Sequence, residues 1–480
     1  MNCTIGIRGF YGIVAAFFLY CLACVYFQVY AALAAPAALV LVWVAITKPK
    51  YMMYFLAFAT PLSVHLIDER YSTVNLSLPT EPLIILLFIG VLLKLLSSKN
   101  IQLAELKTVL SILILTDFAW LGFTAIFSTM PMISVKYVLM KGWYIVVFYF
   151  LAAKFFRSER VIKKFLWTFI VSTVILSTYT LFMHSAGGFS RAFAYTAMRP
   201  FLPDHGMYAA CISFIVPVLF VFAIHGKMLG YSSFLRVVCT VLFLFMVVAV
   251  ALSFTRASWI SLVVSLGLYF VFTLGIRFKY LVLIGVLAVG ALLSNMDNLL
   301  TDLSRNKNES DVNIENHLQS VSNVSSDPSN VERLNRWNSA IRMWEDKPLM
   351  GWGPGTYTFQ YGPCQLPHEM TIISTNAGTL GGIHSEYLRP LAESGLLGAL
   401  LFIGIVLGVF SLGFKHQRLL RGADKYISMA VFLGLVTYFA HAVLNNYSEF
   451  DKIAVPLYSF MAVLTAIEIR YQNARKNSQE

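Results

Sequence analysis

From Gly9 to Thr47 the chain carries no charged residue, thirty-nine positions in a row. A water-facing surface cannot be built from such a run, whereas about twenty consecutive apolar residues are what a bilayer core asks of one helix. The remainder keeps the same character. Hydrophobic residues make up 58% of the 480 and charged residues 12%, with a mean hydropathy of +0.70. Soluble domains carry about twice that charge. Soluble enzymes and DNA-binding proteins are thereby excluded. The expected fold is all-α, a polytopic transmembrane helix bundle of about 12–14 spans.

Dividing the apolar runs at polar and turn residues gives candidate helices near 9–27, 30–47, 51–67, 80–97, 108–128, 134–153, 163–184, 206–225, 234–254, 257–275, 279–295, 395–414, 427–445 and 454–470. The chain then divides into about eleven spans over 1–295, a large loop domain over 296–394, three spans over 395–470 and a tail, 471–480. Within the loop domain, 305–330 is polar, almost without aromatics, and reads as a flexible linker. Residues 331–346 place Leu334, Trp337, Ile341 and Trp344 on one face of an amphipathic helix, expected at the membrane surface or as a cap on the bundle. Lys347-Pro348 ends it, and Gly351-Trp352-Gly353-Pro354-Gly355 spells a tight turn.

Basic residues test which way the bundle faces. With the N-terminus inside, 22 of the 36 lysines and arginines fall on inside segments. The short outside loops and outer span ends hold seven: Arg70, Lys136, Lys141, Arg191, Arg199, Arg256 and Lys452. That asymmetry obeys the positive-inside rule, so both termini are expected in the cytoplasm and the large loop outside. Much of the net charge of +12 is topology signal and no argument for nucleic acid. Ala32-Leu33-Ala34 resembles a signal-peptide cleavage site, but the apolar stretch before it is too long, and an uncleaved first helix is expected. Cys21 and Cys24 have redox-motif spacing, yet sit mid-span as packing residues.

No P-loop, nucleophile elbow or His-Glu-x-x-His occurs, and His368-Glu369 lacks a second histidine. No outward cluster has metal-ligand spacing, so a chemistry with neither metal nor cofactor is expected. Arginine on the outer side stands out instead. Arg256, in Ser253-Phe254-Thr255-Arg256-Ala257-Ser258, ends a span where positive charge is disfavoured, and Arg191 and Arg199 lie in the neighbouring outer loop. Taken singly each is a snorkelling or loop charge; together they offer the forked donors that grip phosphate oxygens. Asp204 reads as a helix cap, with the lining of the same cleft as its functional alternative, and His205 as either structural or cleft lining. Arg389 has Glu386 and Glu393 at helix spacing, which explains it as a salt-bridge residue. On a continuous helix His384 would lie about 140° away from Arg389. A lone histidine reads as a structural hydrogen-bonder or, at this membrane face, as a base for an attacking hydroxyl.

At these residues the sequence resembles the O-antigen ligase and O-antigen polymerase family of bacterial membrane glycosyltransferases. The resemblance rests on Ser253–Ser258, on Arg336-Trp337 through Gly351-Trp352-Gly353-Pro354-Gly355-Thr356-Tyr357, and on His384-Ser385-Glu386-Tyr387-Leu388 with Leu391-Ala392-Glu393-Ser394-Gly395; Arg191 to Tyr208 matches more loosely. It implies glycan transfer at the periplasmic face of the inner membrane from a polyprenyl-diphosphate-linked donor. Arg256, Arg191 and Arg199 then become the diphosphate clamp and His384 the acceptor base. The acceptor is lipid A–core for a ligase, slightly favoured for the shelter its large loop offers, or another lipid-linked repeat for a polymerase. About twelve spans are usual in the family. A flippase or transporter should carry charge near the midplane; here Asp117 is the main such residue, marking a pathway or pairing with a neighbouring helix.

Overall fold

The computed structural model describes residues 7–29, 33, 35–67, 75–97, 104–275, 280, 328–371, 374–375 and 381–477. Within them the chain is a helix bundle: α1 (Ile7–Tyr26), α2 (Ala35–Thr47), α3 (Pro49–Leu62), α4 (Thr80–Ser97), α5 (Val109–Ile126), α6 (Pro131–Phe155), α7 (Glu159–Ala186), α8 (His205–Leu229), α9 (Ser233–Ala251), α10 (Arg256–Thr273), α11 (Pro328–Asp346), α12 (Leu388–Leu419), α13 (Gly422–His441) and α14 (Asp451–Asn477). Among the described residues, nine helices are long and apolar enough to cross a membrane. The span expected at 279–295, Tyr280 apart, and residues 305–327 of the linker expected over 305–330 lie outside the described residues, while 328–330 are helical. The helix expected over 51–67 stops at Leu62, since Val64–Ile67 pairs antiparallel with Asn75–Leu78 as a hairpin, Val64 opposite Leu78.

The starts follow local chemistry. Proline occupies the first turn of α3 and α6, where its missing N–H costs nothing. Ser232 caps α9 by accepting from Leu235 N at 3.2 Å. The middle of the bundle is α14, buried from Asp451 through Ile469, with α13 beside it and α3, α6, α8, α10 and α12 around the pair. Lipid is as apolar as leucine, so packing rests on close fit and interhelical hydrogen bonds. Ser265 Oγ donates to Leu433 O at 3.0 Å, and Thr437 Oγ1 to Ser213 O at 3.2 Å. Asp117 does pair with a neighbouring helix, 2.8 Å from Lys141 Nζ on α6.

The amphipathic helix of the loop is α11, starting at Pro328, three residues earlier than its pattern indicated. It lies against α12. The loop end of the bundle is therefore one body, and it holds the residues singled out above.

Candidate active site

The glycine-rich turn is a lock. Trp352 N donates to Ala392 O at 3.0 Å and Gly353 N to Glu393 O at 2.8 Å; the Glu393 carboxylate accepts from Gly355 N at 2.9 Å and Tyr357 N at 3.1 Å. Gly351 and Gly395 both have left-handed backbone, and a Cβ on Gly351 would sit 2.3 Å from the Glu393 carbonyl carbon. Two of the family-like strings thus hold each other, and Glu393 belongs to this lock instead of pairing with Arg389 as its helix spacing suggested.

His384 hangs just outside α12, which begins only at Leu388, so the angular argument made from a continuous helix does not apply. Its φ is +56°, a left-handed conformation that costs a non-glycine residue about 1–3 kcal/mol unless its surroundings impose it. Here they do. Trp337 Nε1 donates to His384 O at 3.3 Å, and His384 N donates to Asn446 Oδ1 at 3.0 Å. The preceding Gly381 and Gly382 are squeezed between two side chains: a Cβ would meet the Arg336 guanidinium at 1.6 Å or the Asn446 amide at 2.9 Å. The buried Asn445 side chain acts on the half-buried ring. Burial first, then the charges of Arg333 and Arg336, push the imidazole down to about 4, against Glu332 and Asn445. It is neutral across the physiological range.

Asn445 and Asn446 belong to the link between α13 and α14, and that link is itself fastened. Ser448 N donates to Glu386 Oε1 at 2.7 Å. Arg389, buried, donates to Ser448 Oγ at 3.0 Å and Tyr137 Oη at 2.7 Å, and pairs with Glu386 at 3.1 Å and with Glu449. Tyr447 Oη donates to Asp204 Oδ1 at 3.3 Å. Asp204 is the N-cap of α8, accepting from Met207 N at 2.9 Å, as its sequence context indicated.

His205 sits under the ring of Tyr195, centroids 4.2 Å apart, with Nδ1 2.8 Å from Ser253 O and 3.2 Å from Thr255 Oγ1. The Ser253–Thr255 turn, with Phe254 left-handed, launches α10 at half-buried Arg256. The Arg191 charge reaches His205. Arg199 stands apart: its side chain is exposed, and its carbonyl accepts the Tyr179 hydroxyl at 2.7 Å. Arg333 is the cation the sequence reading passed over. It lies one turn from Trp337 on α11, and its charge acts on His205, His384 and Tyr447 alike. Its neighbour Arg336 pairs through Nε with Glu332 at 2.5 Å and stacks 4.0 Å over the Tyr361 ring. Burial raises the Glu332 carboxyl, but donation from Ser374, Arg336 and Thr371 outweighs it and holds the group below the usual range.

The loop end thus gathers a neutral histidine in an imposed backbone conformation, the asparagines that hold it, and arginines on three elements. Among known protein families, the model described as O-antigen ligase matches residues 241–403. No curated protein matches the chain. Residues 241–403, the part of this integral membrane protein that is similar to the O-antigen ligase family, include Arg256, the Gly351–Glu393 lock and His384.

Proposed function

We propose that the protein transfers a glycan from a polyprenyl-diphosphate carrier to an acceptor hydroxyl at the periplasmic face of the inner membrane, as an O-antigen ligase acting on lipid A–core. The observation that carries this reading is His384, held at both backbone polar groups beside arginine charge. In the reaction a ring nitrogen of His384 takes the acceptor proton while the acceptor oxygen attacks the anomeric carbon. The carbon–oxygen bond to the diphosphate breaks, and the carrier leaves as an anion. Diphosphate is a competent leaving group, so the chain's task is to orient the acceptor and to stabilise developing phosphate charge. Arg256 and Arg191 are the proposed clamp, with Arg333 as a further arm and Arg199, by its exposure, the outermost. Burial, with Arg333 and Arg336, depresses the base. Bound diphosphate offsets their charge and makes His384 more basic when the acceptor arrives.

The test uses purified protein in detergent with a polyprenyl-diphosphate glycan as donor. Lipid A–core and a second lipid-linked repeat are offered separately, with and without a chelator. Glycosylated lipid A–core, undiminished by chelation, is the expected product. A ladder of lengthening lipid-linked glycans makes the protein a polymerase, and no product from folded protein supplied with the native donor returns the transporter reading.

A further inference from the structure

The link between α13 and α14 holds the segment that carries His384. Asn446 Oδ1 accepts the backbone N–H of His384 at 3.0 Å, and its amide occupies the place where Gly382 would carry a Cβ. Asn445, buried beside it in the link, accepts from Tyr447 Oη at 3.4 Å and acts on the imidazole ring. Neighbouring residues hold the link down: Ser448 on Glu386 and Arg389, Tyr447 on Asp204. A neutral imidazole has one N–H donor and one lone pair, and whichever atom its fixed neighbour accepts or donates decides which nitrogen is basic. Asparagine placed beside a histidine base acts as the third, orienting member of a nucleophile–base–orienter series.

We propose that Asn445 and Asn446 are positioning residues for His384: the Asn445 carbonyl oxygen accepts the N–H of one ring nitrogen so that the other presents its lone pair to the acceptor, while Asn446 fixes the left-handed loop that aims the ring. This deepens the transfer reading above and rests on it. The charged groups acting on the ring come from α11, namely Arg333, Arg336 and Glu332, and the proposal adds the α13–α14 link as the side that sets direction.

The test pairs a readout of the ring with a readout of transfer. Carbethoxylation of His384 is followed by peptide mass spectrometry across pH in the full-length protein in detergent, for wild type, Asn445→Asp and Asn445→Leu. A carboxylate at 445 raises the ring's basicity, so the pH midpoint of modification moves up by about 1–3 units in Asn445→Asp. The acid limb of transfer moves with it. Asn445→Leu lowers kcat by about tenfold or more, with donor KM within about twofold, because a base in mixed tautomers loses part of the 10²–10⁴ that general-base catalysis supplies. Asn446→Ala lowers kcat similarly, and Asn446→Asp, which keeps an acceptor oxygen for the His384 N–H, restores it. An unmoved midpoint in Asn445→Asp, or wild-type turnover in folded Asn445→Leu, overturns the proposal. A moved midpoint with a transfer profile that ignores it upholds the contact and overturns the base assignment instead. Folding is checked by monodisperse elution, and Asn446→Asp keeps the experiment decisive where Asn446→Ala fails that check.

Discussion

Two histidines near opposite ends of α12 make a natural comparison. His416, near its C-terminal end, is buried with both ring nitrogens engaged, 2.8 Å from Ser428 Oγ and 3.2 Å from Glu468 Oε2, and Lys415 pairs with the same carboxylate. His384, just before the helix begins, is half-buried, sits among arginines, and is held mostly by its backbone. The first ring is consumed by the fold, while the second is positioned by the fold with chemistry still to offer. A histidine's role is legible from how many of its polar atoms are already committed, far more than from its depth in the bundle.

The sharpest way to break the comparison is to remove each ring. His384→Ala should reduce glycan transfer by about 10²–10⁴ with abundance and elution profile unchanged. His416→Ala, which removes the ring partner of Glu468 Oε2 and of Ser428 Oγ, should lower abundance in the membrane while turnover per folded molecule stays near wild type. If the two variants behave alike, the distinction fails. Next in size is the lock beside His384. Gly351→Ala forces a side chain onto the Glu393 backbone at a left-handed position, and should lower the thermal unfolding midpoint in detergent by an amount equivalent to about 2–4 kcal/mol. Arg256→Ala should raise donor KM about tenfold or more with acceptor KM unchanged, the loss expected for one hydrogen bond to a charged group. Equal effects on both KM values would remove Arg256 from the clamp.

The smallest effect, and the most diagnostic, is in pH. His384 is depressed to about 4 by burial and by Arg333 and Arg336. A base must be unprotonated to act, so kcat/KM should stay level from pH 8 downward and fall only as pH drops through about 4, not near 6.5. With saturating donor, phosphate charge offsets the arginines, and the acid limb of kcat should lie at higher pH than that of kcat/KM. Coincident limbs would show that the donor does not tune the base.

Much of this fold was legible because lipid imposes a one-dimensional rule: hydropathy marks the helices whatever their partners. The Asp204 cap and the Gly351–Gly355 turn were legible too, since each is settled by residues within a few positions. His384 was found by type and location, but its conformation was not. Its anchors lie 47 and 62 residues away, in Trp337 and Asn446. Asn445-Asn446-Tyr447-Ser448-Glu449 reads locally as an ordinary polar loop, so nothing near it announces its partners. Arg333 was overlooked as one more charge on an amphipathic helix. Its signal was available: four positions before Trp337, it shares that residue's face of α11. The Val64–Leu78 hairpin escaped because Val64–Ile67 continues the apolar run of α3.

The link between α13 and α14 is tied down at both of its ends. At one it grips His384 and Glu386; at the other Asp451 accepts from Ser63 Oγ at 2.8 Å and Thr80 Oγ1 at 2.6 Å, while Lys452 Nζ donates to Ser63 Oγ at 2.6 Å. A cord fastened this way has no slack, and its length becomes a quantity the chain cannot vary. One residue inserted between Asn446 and Ser448 would pull either the histidine hanger or the α14 anchor out of register. For anyone grafting tags or swapping segments in this chain, 442–450 works as a ruler and should be left uncut.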